Sequence, residues 1–191
     1  MPVAVITGPH RGVTDAGHIV ALASVDDGLG GADVLVNNAS TLGASPLPPL
    51  EELGVNILSS IYATNVIAPV ALIKALLPQL GARQGRIVNI TSNAAVEAYQ
   101  SWGGYGSSKA ALDQVTAVLA AERADLRVYA FDPGDMRTQM HQDAFPCEDI
   151  SDRPDPATVV PALLRLLQEQ LPSGRYRASD LRAAGSEGAS A

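Results

Sequence analysis

The sequence predicts an α/β fold, a parallel β-sheet covered on both faces by helices. Short apolar runs, each too brief for a helix, recur at Val3 to Ile6, Asp33 to Val36, Arg86 to Ile90 and Leu126 to Phe131. Helix-length segments separate them. Strands alternating with helices of this kind imply right-handed crossovers and a parallel sheet.

Val3 to Ile6 lies between Pro2 and Gly8 and reads as a short buried strand. From Asp15 to Leu29 the chain suits one modest helix, with Thr14 or Asp15 as N-cap and Gly30-Gly31 as its stop. The second strand, from Asp33, ends at Asn37-Asn38, polar residues that tolerate tight turns. Ser45 to Pro49 is a surface loop. Glu51 to Leu80 carries helical periodicity with a break or kink expected near Pro69. After the strand at Arg86, Gly103 to Arg123 reads as a long alanine-rich helix. Asp132-Pro133-Gly134 closes the fourth strand, and Pro156 to Gln170 is a last helix with prolines in its first turns.

The 191 residues suffice for one domain, expected over 1–182, with a small, polar, flexible tail over 183–191. Hydrophobic residues make up 47% and charged residues 17%, which excludes a disordered chain. The net charge of -7 gives no electrostatic basis for binding nucleic acid or an anionic membrane. The single cysteine, Cys147, fits a reducing compartment, and two acids beside it point to an inert thiol. No secretory signal is visible, and the longest apolar segment, Ile57 to Leu80, is interrupted by Ser59, Ser60, Thr64, Asn65 and Lys74. A cytoplasmic protein is the expectation. His10, His18 and His141 lack ligand-like spacing with carboxylates or Cys147, so no metal site is expected.

Three patterns carry chemistry. In Tyr105-Gly-Ser-Ser-Lys109 the tyrosine and lysine stand four apart, on one face of a helix. An ammonium near a phenol favours the phenolate and fits it for proton transfer. Ser92, in Asn89-Ile-Thr-Ser92, follows a strand and falls on the sheet edge where α/β folds bind ligands. Asn37-Asn-Ala-Ser40 ends the second strand on that same edge. Trp102 and Tyr99 precede Tyr105 and suit either the substrate pocket or the core.

The ordered set Asn37-Asn-Ala, Asn65, Ser92, Tyr105-x-x-x-Lys109 and Pro133-Gly134 resembles the short-chain dehydrogenase/reductase family from about Asp33 to about Tyr176. The resemblance implies a Rossmann-like, doubly wound sheet and a hydride transfer between NAD(P)(H) and a carbonyl/alcohol substrate. Tyr105 would be the general acid/base, Lys109 would lower its pKa and hold the nicotinamide ribose, and Ser92 would orient the substrate oxygen. Asn65, in Tyr62-Ala-Thr-Asn65, matches the helix asparagine that positions a water in the proton relay. Thr7, Gly8, Arg11 and Gly12 would contact the cofactor, Asn37 and Ala39 would line its cleft, and Pro133, Gly134 and Thr138 would close over the nicotinamide. The resemblance also implies a homo-oligomer, a dimer or tetramer.

The chain departs from the family pattern at Thr14, where a third glycine is usual, and in length. Only roughly 25 residues separate the Gly-rich turn from Asn37, about half of what a helix, strand, helix and strand require. The second and third strands of the family are therefore expected to be missing. With them goes the residue that reads the adenosine ribose. Arg11 points to NADP over NAD, while the shortening points to weakened or lost cofactor binding. Two alternatives follow: a cofactor-independent lyase that reuses the serine and tyrosine, although Lys109 stands where such relatives carry arginine, and a non-catalytic remnant acting by association. In either case Val3 to Ile6 becomes an apolar sheet edge that invites pairing.

Overall fold

The computed structural model describes residues 2–8, 14, 15, 17 and 30–181. Apart from Asp15 and Gly17, the helix expected over 15–29 lies outside the described residues, as do Arg11, Gly12 and the tail over 183–191.

Among the described residues, five strands form one sheet: β1 (Ala4–Ile6), β2 (Val34–Asn37), β3 (Arg86–Ile90), β4 (Arg127–Asp132) and β5 (Gly174–Arg177). Every neighbouring pair is parallel, and the strands stand in chain order, β1-β2-β3-β4-β5. Among the described residues β1 is an edge strand, as expected from the short N-terminal segment, and Ile6 there is 66% exposed. It is tied to its neighbour by Val3 N, which donates to Asp33 Oδ2 at 2.7 Å, and by Thr7 N, which donates to Val36 O at 3.0 Å.

Side-chain alternation along the strands builds a core on each face. Leu35, Ile87 and Val128 point to one side, where Leu72, Ile73, Leu76 and Leu80 cover them. Those four leucines and isoleucines belong to helix α1 (Val55–Ala82). Beside it runs α2 (Gly103–Glu122), whose Leu119 and Ala120 join the same cluster. Val34, Val36, Val88, Tyr129 and Phe131 face the other way, against Ala162 and Leu166 of α4 (Val160–Gln168). A short helix, α3 (Gln139–Ala144), follows β4.

Helix α1 is long and apolar enough, at a mean hydropathy of 1.6 over its most apolar window, to match a membrane span by length and composition, which the interrupting polar residues were expected to prevent. Its apolar face lies on the sheet, as a core helix's does. The break expected near Pro69 takes the form of a π-helical segment, Ala63–Ile67, just ahead of the proline. Pro69 carries no N–H for the carbonyl four residues earlier, that of Asn65, and the wider turn accommodates the ring.

The β5 strand was not foreseen. As an edge strand reading Gly-Arg-Tyr-Arg it has no apolar run, and its arginines are held by carboxylates rather than by burial.

Candidate active site

The carboxyl ends of β3 and β4 and the turn after β2 surround a cleft of about 920 Å³. Ser40, Ser92, Tyr105 and Lys109 all line it. The three residues expected to do the chemistry, which are distant in sequence from one another by up to 17 positions, are thus brought together.

Helix α2 delivers two of them. Gly106 lets it approach the loop after β3 so closely that a Cβ there would lie 2.7 Å from the Ala94 carbonyl oxygen. Tyr105 is 8% exposed, and the hydroxyls of Ser92 and Ser40 both face its phenol. Burial pushes the phenol up to about 12, and the two serine hydroxyls pull against that rise. Ser92 also caps the short turn Asn93–Ala95, accepting from Ala94 N at 3.2 Å and donating to Asn93 Oδ1 at 3.2 Å.

Lys109 is almost wholly buried, 2% exposed. Its Nζ donates to the Ile90 carbonyl at 2.8 Å and lies 5.5 Å from the centre of the Tyr105 ring. Burial drives its pKa down to about 8, while the Asp113 carboxylate acts in the opposite direction. The lysine therefore sits against the ring and the end of β3, and the influences that lower the phenol are serine hydroxyls.

Asn65 is fully buried in the π-helical segment and bonds on every side. Its Oδ1 accepts from Ser40 Oγ at 3.2 Å and Thr41 N at 2.9 Å, and its Nδ2 donates to Thr41 O at 3.0 Å and Ser108 Oγ at 2.9 Å. Ser108 Oγ in turn donates to Tyr105 O at 2.6 Å. Asn65 thus joins the turn after β2 to α2, with Ser40 between its carboxamide and the Tyr105 phenol.

The residues expected to hold a cofactor divide. Pro133, Gly134 and Thr138 line the cleft. Gly134 adopts φ +77°, with its N–H donating to Asp132 Oδ1 at 3.0 Å, and Thr138 caps α3 by accepting from His141 N at 3.2 Å. Thr7, Asn37 and Ala39 are buried behind the cleft, Gly8 is half-buried, and the lining positions of that turn are Asn38 and Ser40. Thr7 Oγ1 accepts from the N–H groups of Asn38 and Ala39 at 2.9 and 3.0 Å, which shapes the turn. Asn37 Nδ2 donates to Asn89 Oδ1 at 2.8 Å inside the sheet.

Sequence reasoning missed three polar residues. Ser40 was in a recognised motif but had no role assigned. Arg175 and Asp132 meet only through the fold: Arg175 Nη2 donates to Asp132 Oδ2 at 2.9 Å and to the Ser92 carbonyl at 3.0 Å, while its Nε donates to Asp113 Oδ2 at 3.1 Å. One guanidinium therefore links both cleft-lining loops to α2. Trp102 and Tyr99 line the cleft, and Trp102 packs edge-on to Tyr105 at 5.7 Å and tilted against Phe145 at 5.8 Å between ring centres. Among the described residues, no group of three or more His, Cys, Asp or Glu side chains could hold a metal ion.

A family model described as short chain dehydrogenase matches residues 3–149. The uncharacterized oxidoreductase YciK of Escherichia coli is 34% identical over 137 residues, which are 71% of this chain and 54% of that protein. An uncharacterized oxidoreductase of Saccharomyces cerevisiae is 37% identical over 113 residues, 59% of this chain and 44% of its own length. The chain thus spans about half the length of these relatives. A short chain dehydrogenase of Shigella flexneri, solved in complex with NADP, superposes with a TM-score of 0.78 at 29% identity, covering 85% of this chain and 70% of that one.

Proposed function

The chain belongs to the short-chain dehydrogenase/reductase family, and from that membership we propose that it interconverts a carbonyl and an alcohol with a nicotinamide cofactor, using Tyr105, Ser92 and Lys109. The observation that carries this reading is one phenol, buried at the carboxyl edge of a parallel sheet, faced by two serine hydroxyls and backed by a lysine ammonium.

In this reading Tyr105 gives its proton to the substrate oxygen during reduction and recovers it during oxidation. Ser92 holds that oxygen beside the phenol, and Ser40 supplies a second hydroxyl on the side of Asn65. Lys109 stabilises the phenolate left behind.

The residues present fit the nicotinamide end of such a cofactor. Lys109 has N–H groups beyond the one given to Ile90, the Thr91 hydroxyl nearby is buried without a hydrogen-bond partner, and a side chain at Gly134 would meet nothing within 4 Å. When bound, the cofactor supplies the hydride. Lys109 would hold its ribose, and Gly134 and Thr138 its nicotinamide. The adenosine end is a different matter. Dinucleotides bind where the strand order of an α/β sheet reverses, and the five described strands run in one direction without reversal. Weak binding follows. The NADP complex of the Shigella flexneri neighbour supports NADP first. A homo-oligomer in a reducing cytoplasm completes the proposal.

Trp102 is the chain's single tryptophan and lines the cleft, so its fluorescence reports occupancy there. Titration with NADPH and NADH should quench it, with NADPH the tighter, and a carbonyl substrate panel should then consume the bound nucleotide in wild type and not in Tyr105→Phe. No quenching by either nucleotide would overturn the reading. In that case the exposed β1 edge favours the second reading, a chain that acts by associating with another.

A further inference from the structure

We propose that Arg86 and Arg127 form a binding site for a small oxyanion of the phosphate class, at the end of the sheet opposite the catalytic cleft. The proposal stands independently of the oxidoreductase reading. The two residues open β3 and β4 and are paired directly across the parallel ladder. The cleft lies at the other ends of the same strands, ~17 Å away at ~3.3 Å per residue.

Like charges placed opposite each other on neighbouring strands repel, and proteins ordinarily put a carboxylate between them. Here none does. Among the described residues neither arginine has an ion pair, in contrast to Arg83, Arg123, Arg137, Arg153, Arg165, Arg175 and Arg177. The acids nearest at hand are already engaged. Asp125 is held by Arg123 through bonds of 2.8 and 2.6 Å, and Asp33 is held by Arg83 and by Val3 N. The arrangement is the more unusual in a chain of net charge -7, where acids outnumber bases.

The guanidinium groups are also incompletely satisfied. The Nε atoms of both Arg86 and Arg127 are buried and have no hydrogen-bond partner. Arg86 is hydrogen-bonded to the Tyr129 phenol, and Arg127 has one long bond to the Leu126 carbonyl at 3.4 Å. Buried donors left unpaired are costly and uncommon. Both arginines line a polar hollow of about 310 Å³, together with Arg83, Gln84, Gln170 and Asp125, whose carboxylate is already paired with Arg123. A hollow of that size admits a tetrahedral oxyanion. Two guanidinium groups in its lining can donate to phosphate oxygens, and a doubly charged ion removes the repulsion between them.

The test is thermal unfolding in inorganic phosphate against chloride at matched ionic strength and pH. Wild type should melt about 5 °C higher at phosphate concentrations far above Kd. Arg86→Gln and Arg127→Gln should each abolish that rise and, in chloride, melt at or above the wild-type temperature, because each removes the repulsion. Arg127→Lys keeps the charge and loses the fork, so it should keep only part of the response. Glycerol 3-phosphate separates the sources: a rise equal to or above that of inorganic phosphate assigns the site to a phosphate monoester, and a smaller one to the free ion. The proposal is overturned if phosphate and chloride give the same melting temperature, if acetate stabilises as well as phosphate, or if the glutamine variants respond as wild type does.

Discussion

Arg175 donates to the Asp132 carboxylate at 2.9 Å and, through the same nitrogen, to the carbonyl of Ser92 at 3.0 Å. Asp132 is 3% exposed, and its second oxygen fixes the turn at Gly134. The geometry of Ser92 and that of Gly134 are therefore set by one side chain from the last strand, which lies beyond the residues matched by the family model.

Arg175→Met leaves Asp132 buried without its cation. The expected loss is about 2 kcal/mol of stability, the scale of a charged hydrogen bond, since the guanidinium keeps some solvent contact. Urea unfolding measures it. Arg175→Lys should restore part of the stability, and little of the turnover if the Ser92 carbonyl needs the fork.

Lys109→Met tests the buried ammonium. The folded-state pKa of about 8 lies below the ordinary lysine value, so folding disfavours the charged form. That penalty is present in full below pH 8, and it shrinks as pH rises toward 10.5, where the unfolded chain also loses its proton. The methionine variant should accordingly exceed wild type by about 3 kcal/mol at pH 7, with the gap closing at higher pH. A gap independent of pH between 7 and 10 contradicts the assignment.

Tyr105→Phe removes the proton donor and should lower kcat/KM by roughly 10²–10⁴-fold with the fold intact. Ser40→Ala removes one of the two hydroxyls that pull the phenol down. Its phenol should titrate higher than in wild type, and the pH profile of turnover should move in the same direction. Equal profiles for Ser40→Ala and wild type would leave Ser40 a purely local contact.

Asn65→Leu strips partners from Thr41, Ser40 and Ser108 at once. Buried groups left unpaired cost about 1–3 kcal/mol each, so a loss of at least about 3 kcal/mol is expected in denaturant melts. Asn65→Asp should be nearly as damaging, because it puts an acceptor where a donor faces two oxygens.

Ile6→Lys places a charge on the open edge of β1, where the native isoleucine is 66% exposed. Self-association measured by light scattering should fall, with little change in melting temperature.

The sequence carried the chemistry that depends on local spacing. Periodicity put Tyr105 and Lys109 on one helix face and Ser92 just past a strand, and the family resemblance joined the three into one site. The edge position of β1 followed from arithmetic on length. What escaped was non-local: Arg175 stands 83 positions from Ser92 and announces its partners by no motif. On the turn after β2 the reading fell one residue short. Asn37 is the last residue of a strand covered on both faces, so its side chain goes into the sheet, and the next residues reach the cleft.

Strands laid down in chain order also govern how this sheet assembles. Each strand pairs with its immediate predecessor, so no pairing must wait for a distant segment to thread between two others. Assembly can spread sideways from β3 and β4, a largely buried pair. On that route β1 is the last to dock and the first to detach, and opening it releases the Asn38 and Ala39 N–H groups that Thr7 holds beside Ser40.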